Sequence, residues 1–382
     1  MSVITLLDMN IEEFIAEVPF RIPSARNRAL QSLKNADLHQ GRQLLMMNRD
    51  EIESIEGMSE RTADIIFRHL IMLRGSNLKP VSQMKQEFEY LETNIDSLNE
   101  ELGAGYFNSS IDGVGIRSGS IIELVGEPGI GKTKLCQSLA LQMMKYKKDD
   151  GWNKKVLFFD SSFESPLANM KVLNEFHKVS ESQLEKNLYV SNARNLDEIL
   201  THLKSQDPSK IGMVIIDNIS EIIANQYPNS HFRINGMLFS TIGHRDRLLH
   251  QIFTYLRQLG YYFGTITLVT NSLERYYQHI PHGLEFISKL EYSIKYFCSM
   301  SLFIKRALKT EQKEMQRVGK HIPSWSYGQG QIDSSPITIR CTKSNQHRKF
   351  RAPAIVSKYG VLGSTEYNNV FKYQSESLDQ FK

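Results

Sequence analysis

The octapeptide Gly126-Glu127-Pro128-Gly129-Ile130-Gly131-Lys132-Thr133 constrains this chain more than any other stretch. It fits the pattern glycine, four residues, glycine, lysine, threonine, and its flanks are those the pattern requires. An apolar run, Ile121–Val125, leads in as a strand. Lys134–Met144 leads out as a helix, with Leu135, Leu139 and Met143 on one face. Glycines let successive backbone N–H groups turn toward an anion, and the helix N-terminus adds the positive end of its dipole. Such a loop cradles phosphates. Lys132 offers a point charge to the β- and γ-phosphates of a nucleotide, and the Thr133 hydroxyl ligates Mg²⁺. The eight residues Gly126, Glu127, Pro128, Gly129, Ile130, Gly131, Lys132 and Thr133 are therefore the candidate site for ATP with Mg²⁺, and Lys132 is the candidate catalytic cation.

A site of this kind has a second half, an apolar strand ending in a carboxylate. Ile211–Asp217 supplies it roughly 80 residues downstream, and Asp217 joins Thr133 as a candidate holder of the Mg²⁺ shell. Strand and helix patterns alternate from about Asp112, the signature of an α/β domain with a largely parallel sheet. Core strands are expected at Ser120–Val125, Val156–Asp160, Leu188–Val190, Met213–Asp217, Thr265–Asn271 and Pro336–Arg340.

Upstream lies a small helical domain, residues 1–77. Gly57 suits a tight turn and Ser59 a helix N-cap, so Ile55–Ala63 resembles a helix-hairpin-helix. Such units grip phosphates or dock partners, and both readings stay open. Residues 78–95 read as a linker, 96–364 as the nucleotide-binding core and 365–382 as a polar tail. Composition excludes several classes. Three scattered cysteines, Cys136, Cys298 and Cys341, make neither a disulfide framework nor a zinc site. No run approaches the ~20 apolar residues of a membrane span, and acidic residues at Asp8, Glu12, Glu13 and Glu17 do not suit a targeting leader. An intracellular, soluble protein is expected.

Further segments resemble the RecA-like recombinases and their eukaryotic paralogues. Thr93-Asn94-Ile95-Asp96-Ser97-Leu98-Asn99 followed by Gly119-Ser120-Ile121-Ile122-Glu123 is similar to the family's lead-in to the phosphate loop. Asp217-Asn218-Ile219-Ser220, the helix Arg245–Leu259 and Thr267-Leu268-Val269-Thr270-Asn271 continue the likeness in the family's order. The resemblance implies a RecA-like ATPase core behind a small N-terminal domain, and a nuclear location. The departures matter as much. Active members end the strand after the first core helix in Asp-Thr-Glu-Gly, whose glutamate activates the attacking water. This chain has Asp160-Ser161-Ser162-Phe163, with Ser162 at the glutamate's place and Glu164 two residues on as the nearest substitute. A hydroxyl is no general base near neutral pH, and losing one costs about 10²–10⁴ in rate. The family's Thr-Asn-Gln, which senses the γ-phosphate, reads Thr270-Asn271-Ser272. The changes point to a recombinase paralogue of the D-type or fungal mediator kind, with weak or absent hydrolysis.

Two loops would meet DNA in this family. The first, Asn225–Arg245, carries Tyr227, Phe232 and Arg233. The second, Leu273–Lys295, carries Arg275 and Tyr276 among other aromatics. Rings interleaved with cations suit single strands. Arg340–Lys358 is basic without an acidic residue, and Arg348, Lys349 and Arg351 are its candidate phosphate contacts. The linker offers Phe88-Glu89-Tyr90-Leu91 where filament-forming members carry a Phe-x-x-Ala hook. Three functions compete. One is an ATP-binding mediator that assembles with other paralogues and helps the main recombinase load on single-stranded DNA in homologous recombination and double-strand break repair. The second is an active DNA-dependent ATPase that forms filaments and exchanges strands. The third is a small-molecule kinase, which would have no use for the hairpin domain.

Overall fold

The structure, a computed structural model, describes residues 9–75, 88–103, 113–145, 152–162, 166–228, 231–234, 237–274, 287–288, 294–307, 335–345, 347 and 349–363. The chain divides into two compact units, Met1–Glu87 with Asp207–Ser209, and Phe88–Gln206 with Lys210–Lys382. The second unit begins inside the stretch that the sequence reads as linker.

The first unit holds the helices Ile11–Glu17, Pro23–Asn35, Gly41–Leu45, Arg49–Glu53 and Glu60–Gly75. Asn10 opens the first with a reciprocal cap: its side chain accepts from the Glu13 N–H at 2.8 Å, and Glu13 accepts from the Asn10 N–H at 3.1 Å. Ile11, Phe14, Ile15, Leu33, Leu44, Leu45, Ile52, Ile66 and Leu70 are buried at the spacing the sequence shows. Gly57 turns the chain between the last two helices at φ +81°, and a Cβ there would sit 2.7 Å from Ser32 Oγ. Ser59 Oγ then accepts from the Thr62 N–H at 3.3 Å, as a cap should. Arg49 braces the turn, bonding Glu53 at 2.9 Å, Glu60 at 3.0 Å, and Asp64.

The second unit carries β1 (Tyr90–Leu91), β2 (Ile116–Arg117), β3 (Ile121–Gly126), β4 (Lys155–Asp160), β5 (Leu188–Asn192), β6 (Ile211–Asp217), β7 (His231–Ile234), β8 (Met237–Ser240), β9 (Ile266–Asn271), β10 (Leu273–Glu274), β11 (Ile287–Ser288), β12 (Met300–Arg306), β13 (Ser335–Ser344), β14 (Arg351–Ser357) and β15 (Gly360–Leu362). Nine of them form one sheet in the order β15-β14-β13-β12-β3-β9-β6-β4-β5. From β12 to β5 all pairings are parallel, and β13, β14 and β15 extend the sheet antiparallel. The sheet is the RecA-like α/β core that the sequence implies.

The central strands are buried on both faces, as strands covered on both sides must be, and are largely apolar. On one face Ile122, Leu124, Phe158, Met213, Ile215 and Leu268 pack with Leu135, Cys136, Leu139 and Met143 of the helix Lys132–Met144. The helices Leu196–Ser205 and Thr241–Phe263 pack together, and the latter also meets β3 and β9. Crossovers of this type leave the C-terminal strand ends open as a ligand crevice. Three strands that the sequence reading did not assign, β12, β14 and β15, build the antiparallel wing.

Candidate functional site

The phosphate loop leaves the end of β3 and enters the helix Lys132–Met144, two residues earlier than the periodicity predicts. Gly129 and Gly131 take φ +73° and +102°, a region that a Cβ penalises. A Cβ on Gly131 would also lie 2.9 Å from Val356 Cγ2, whereas one on Gly129 would meet nothing within 4 Å. The first glycine thus serves the turn, and the second serves both the turn and the approach of β14. Lys132 bends back into the loop. Its ammonium donates to the carbonyls of Gly126 at 2.8 Å and Glu127 at 3.0 Å. Burial lowers its proton affinity, and Asp217 and Glu221 pull it back up.

Asp217 ends β6, with β9 between it and the loop. Its carboxylate accepts from the hydroxyls of Thr133 and Thr270. Burial raises the proton affinity of this carboxyl, against the pull of both hydroxyls and of Lys132. The structure therefore brings together Lys132, Thr133 and Asp217. A buried ammonium, an exposed threonine hydroxyl backed by a carboxylate, and a glycine loop at a helix N-terminus are the donor set that ATP with Mg²⁺ needs, so the residues fit that group.

The ends of β4 and β9 complete the rim. Asp160 stands opposite Asp217 in register. Ser162 Oγ donates to Asp160 Oδ2 at 2.7 Å and its N–H to Oδ1 at 3.0 Å. Ser161 Oγ donates to Glu221 Oε2 at 2.8 Å and accepts from the Asn218 N–H at 3.0 Å. Asn218 Nδ2 in turn donates to Ser272 Oγ at 2.8 Å. Beneath the rim Glu123, fully buried, accepts from Asn271 Nδ2 at 2.9 Å and Ser301 Oγ at 2.8 Å, tying β3 to β9 and β12.

Comparison with known proteins gives this crevice its relatives. The Rad51 family model matches residues 98–279, a span that holds the phosphate loop, Asp217 and Ser272. The chain is 22% identical over 251 residues to the "DNA repair protein Rad51 homolog" of Drosophila melanogaster, covering 64% of this chain and 69% of that protein. It is 26% identical over 227 residues to the "DNA repair protein RAD55" of Saccharomyces cerevisiae, covering 54% of this chain and 52% of that one. The "DNA repair and recombination protein RadA" of Aeropyrum pernix is 24% identical over 188 residues, 47% of this chain and 55% of RadA. RecA-like ATPases of the Rad51 family bind ATP with Mg²⁺.

The remaining candidates separate. Lys349 and Arg351 are exposed. Arg275, Tyr276, Arg348 and Glu164 lie outside the described residues. The first expected DNA loop holds a β-hairpin, β7 with β8, between two helices. Phe88–Leu91, the candidate hook, is committed to its own chain: β1 pairs antiparallel with β2, Leu91 is fully buried, and Arg117 stacks on Phe88 at 4.2 Å. Phe88 and Tyr90 stay half-buried in this arrangement, and Glu89 is exposed. The reading singled out neither Asp160 nor Glu221 for the site. Their signal was a carboxylate at or just past a strand end, which many buried strands share.

Proposed function

We propose that this chain is a nucleotide-dependent mediator of homologous recombination and double-strand break repair. It binds ATP with Mg²⁺ at Gly126–Thr133 and Asp217, assembles with other recombinase paralogues, and assists the main recombinase in loading on single-stranded DNA in the nucleus. The observation that carries this reading is the Ser162–Asp160 pair. The phosphate-binding half of the site is intact, while the place of the water-activating glutamate holds a hydroxyl that is hydrogen-bonded to a neighbouring carboxylate. Ser272, at the place of the γ-phosphate sensor, is likewise held by Asn218. The likeness to RAD55 and to Rad51 homologues supports the repair setting.

The N-terminal unit supports partner docking in place of phosphate contact. Residues 49–64 carry Asp50, Glu51, Glu53, Glu56, Glu60 and Asp64 against Arg49 and Arg61. A hairpin of that charge repels a phosphate backbone and suits a basic protein surface.

The test is a native mass measurement of the purified chain with candidate paralogues, with and without ATP. A defined hetero-oligomer is expected. A self-assembled filament with brisk DNA-stimulated turnover would favour the active recombinase instead.

A further inference from the structure

Among the described residues, three carboxylates meet the Ser161–Ser162 turn at the end of β4, and they differ in what they can do. Asp217, whose carbonyl accepts from the Ser161 N–H at 2.6 Å, is buried, and its carboxylate is engaged by Thr133 and Thr270. Asp160 is 5% exposed, and Ser162 engages both of its oxygens. Glu221 is exposed.

Glu221 is the third residue of the helix Ile219–Gln226, a position from which a glutamate can fold back onto the N–H of the capping residue. Here that N–H is taken. The capping residue is Asn218, and its N–H donates to Ser161 Oγ at 3.0 Å. Ser161 Oγ donates in turn to Glu221 Oε2 at 2.8 Å. The acidic side chain is thereby held on the end of β4, beside Ser162, and does not close on its own cap. The sheet order makes this reach possible, because β4 and β6 are neighbours with Asp160 opposite Asp217. A carboxylate offers about four acceptor sites. Ser161 and the longer contact of Asn218 Nδ2, at 3.5 Å, use two of them, which leaves capacity for a water. Glu221 also acts on the phosphate-binding cation, since it helps Asp217 to raise the proton affinity of Lys132.

We propose that Glu221 activates the attacking water in this site, a carboxylate from the neighbouring strand doing what the Ser162 hydroxyl cannot. Glu221 takes a proton from the water. The water oxygen closes on the γ-phosphorus as the bond to the bridging oxygen breaks, ADP leaves with that electron pair, and Glu221 passes its proton to solvent. A general base is worth about 10²–10⁴ in rate, and a misplacement of about 1 Å costs on the order of 10². A base borrowed from the next strand therefore sustains turnover that is real and slow. The inference rests on the nucleotide site proposed above and names the residue through which that site hydrolyses ATP.

The test pairs nucleotide binding with turnover in the full chain, as wild type, Glu221→Gln and Glu221→Ala. ADP with Mg²⁺ and beryllium fluoride mimics the bound γ-phosphate. ADP with Mg²⁺ and aluminium fluoride mimics the phosphoryl group in flight with the water in line. Calorimetry should find the first complex equally tight in all three proteins, which also reports that the variants fold. The second should weaken about ten-fold in Glu221→Gln and further in Glu221→Ala, because only that state includes the activated water. Slow ATP turnover should fall about ten-fold in Glu221→Gln. Aluminium fluoride binding and turnover that both survive Glu221→Gln would overturn the role of Glu221 and leave the nucleotide site standing. An equal loss of both complexes would also overturn it, since Glu221 would then only support the loop. A wild-type chain that binds neither complex would overturn the nucleotide site and this inference together.

Discussion

Ser162 and Asp160 close a tight turn at the end of β4, the serine hydroxyl on one carboxylate oxygen at 2.7 Å and its N–H on the other at 3.0 Å. Burial holds the Asp160 carboxyl above the usual range. Ser162 pulls it back down, and Asp217 and Glu221 push it further up. A carboxyl raised in the folded state binds more protons there than in the unfolded chain. Its contribution to stability is therefore full below the ordinary carboxylate value and is lost as pH rises through the raised one. Asp160→Asn should melt at or above the wild-type temperature at neutral pH, and the difference should shrink on acidification. A variant that melts lower at every pH would contradict this.

Lys132 is buried and its ammonium already lies in the loop. Lys132→Ala should remove the charge partner of the phosphates and weaken ATP binding by at least ten-fold, while Lys132→Arg should lose less because it keeps the charge. Titration calorimetry with ATP and Mg²⁺ separates the two. Equal affinity in wild type and Lys132→Ala would show that the nucleotide sits elsewhere.

Gly131 carries two demands, φ +102° and Val356 at 2.9 Å from its absent Cβ. Gly131→Ala should abolish the nucleotide-dependent rise in melting temperature, because the new methyl group strains the loop and pushes on β14. Gly129→Ala meets the backbone cost alone and should retain part of the shift.

Glu123 is the buried link among β3, β9 and β12. Glu123→Ala leaves the donors of Asn271 and Ser301 unsatisfied and opens a cavity, at a cost of about 3 kcal/mol in denaturant unfolding. Glu123→Gln keeps the volume and one acceptor, so it should cost clearly less.

The phosphate loop was legible because its chemistry dictates residue identity over eight adjacent positions, and Asp217 because an apolar strand announced it. The parallel core strands were legible as continuous apolar runs. The wing was not. Met300–Arg306 and Arg351–Ser357 alternate buried residues with cations and small side chains, so Arg340–Lys358 read as one basic segment when it is largely a hairpin. The fate of Phe88–Leu91 depended on pairing with Ile116–Arg117, a contact that no local pattern records. The bond of Asn218 with Ser272 needs the ends of β6 and β9 side by side, which only the sheet order provides.

The central claim is that this chain holds ATP and turns it over slowly. The direct measurement is steady-state ATP hydrolysis by the full chain, with and without single-stranded DNA, at an ATP concentration shown by calorimetry to saturate the site. The account predicts saturable binding with turnover about 10²–10⁴ below that of a filament-forming recombinase assayed alongside, unchanged by DNA and by Glu164→Gln. Brisk DNA-stimulated turnover that Glu164→Gln abolishes would contradict it, because a carboxylate two residues past Ser162 would then be doing the work of the missing base.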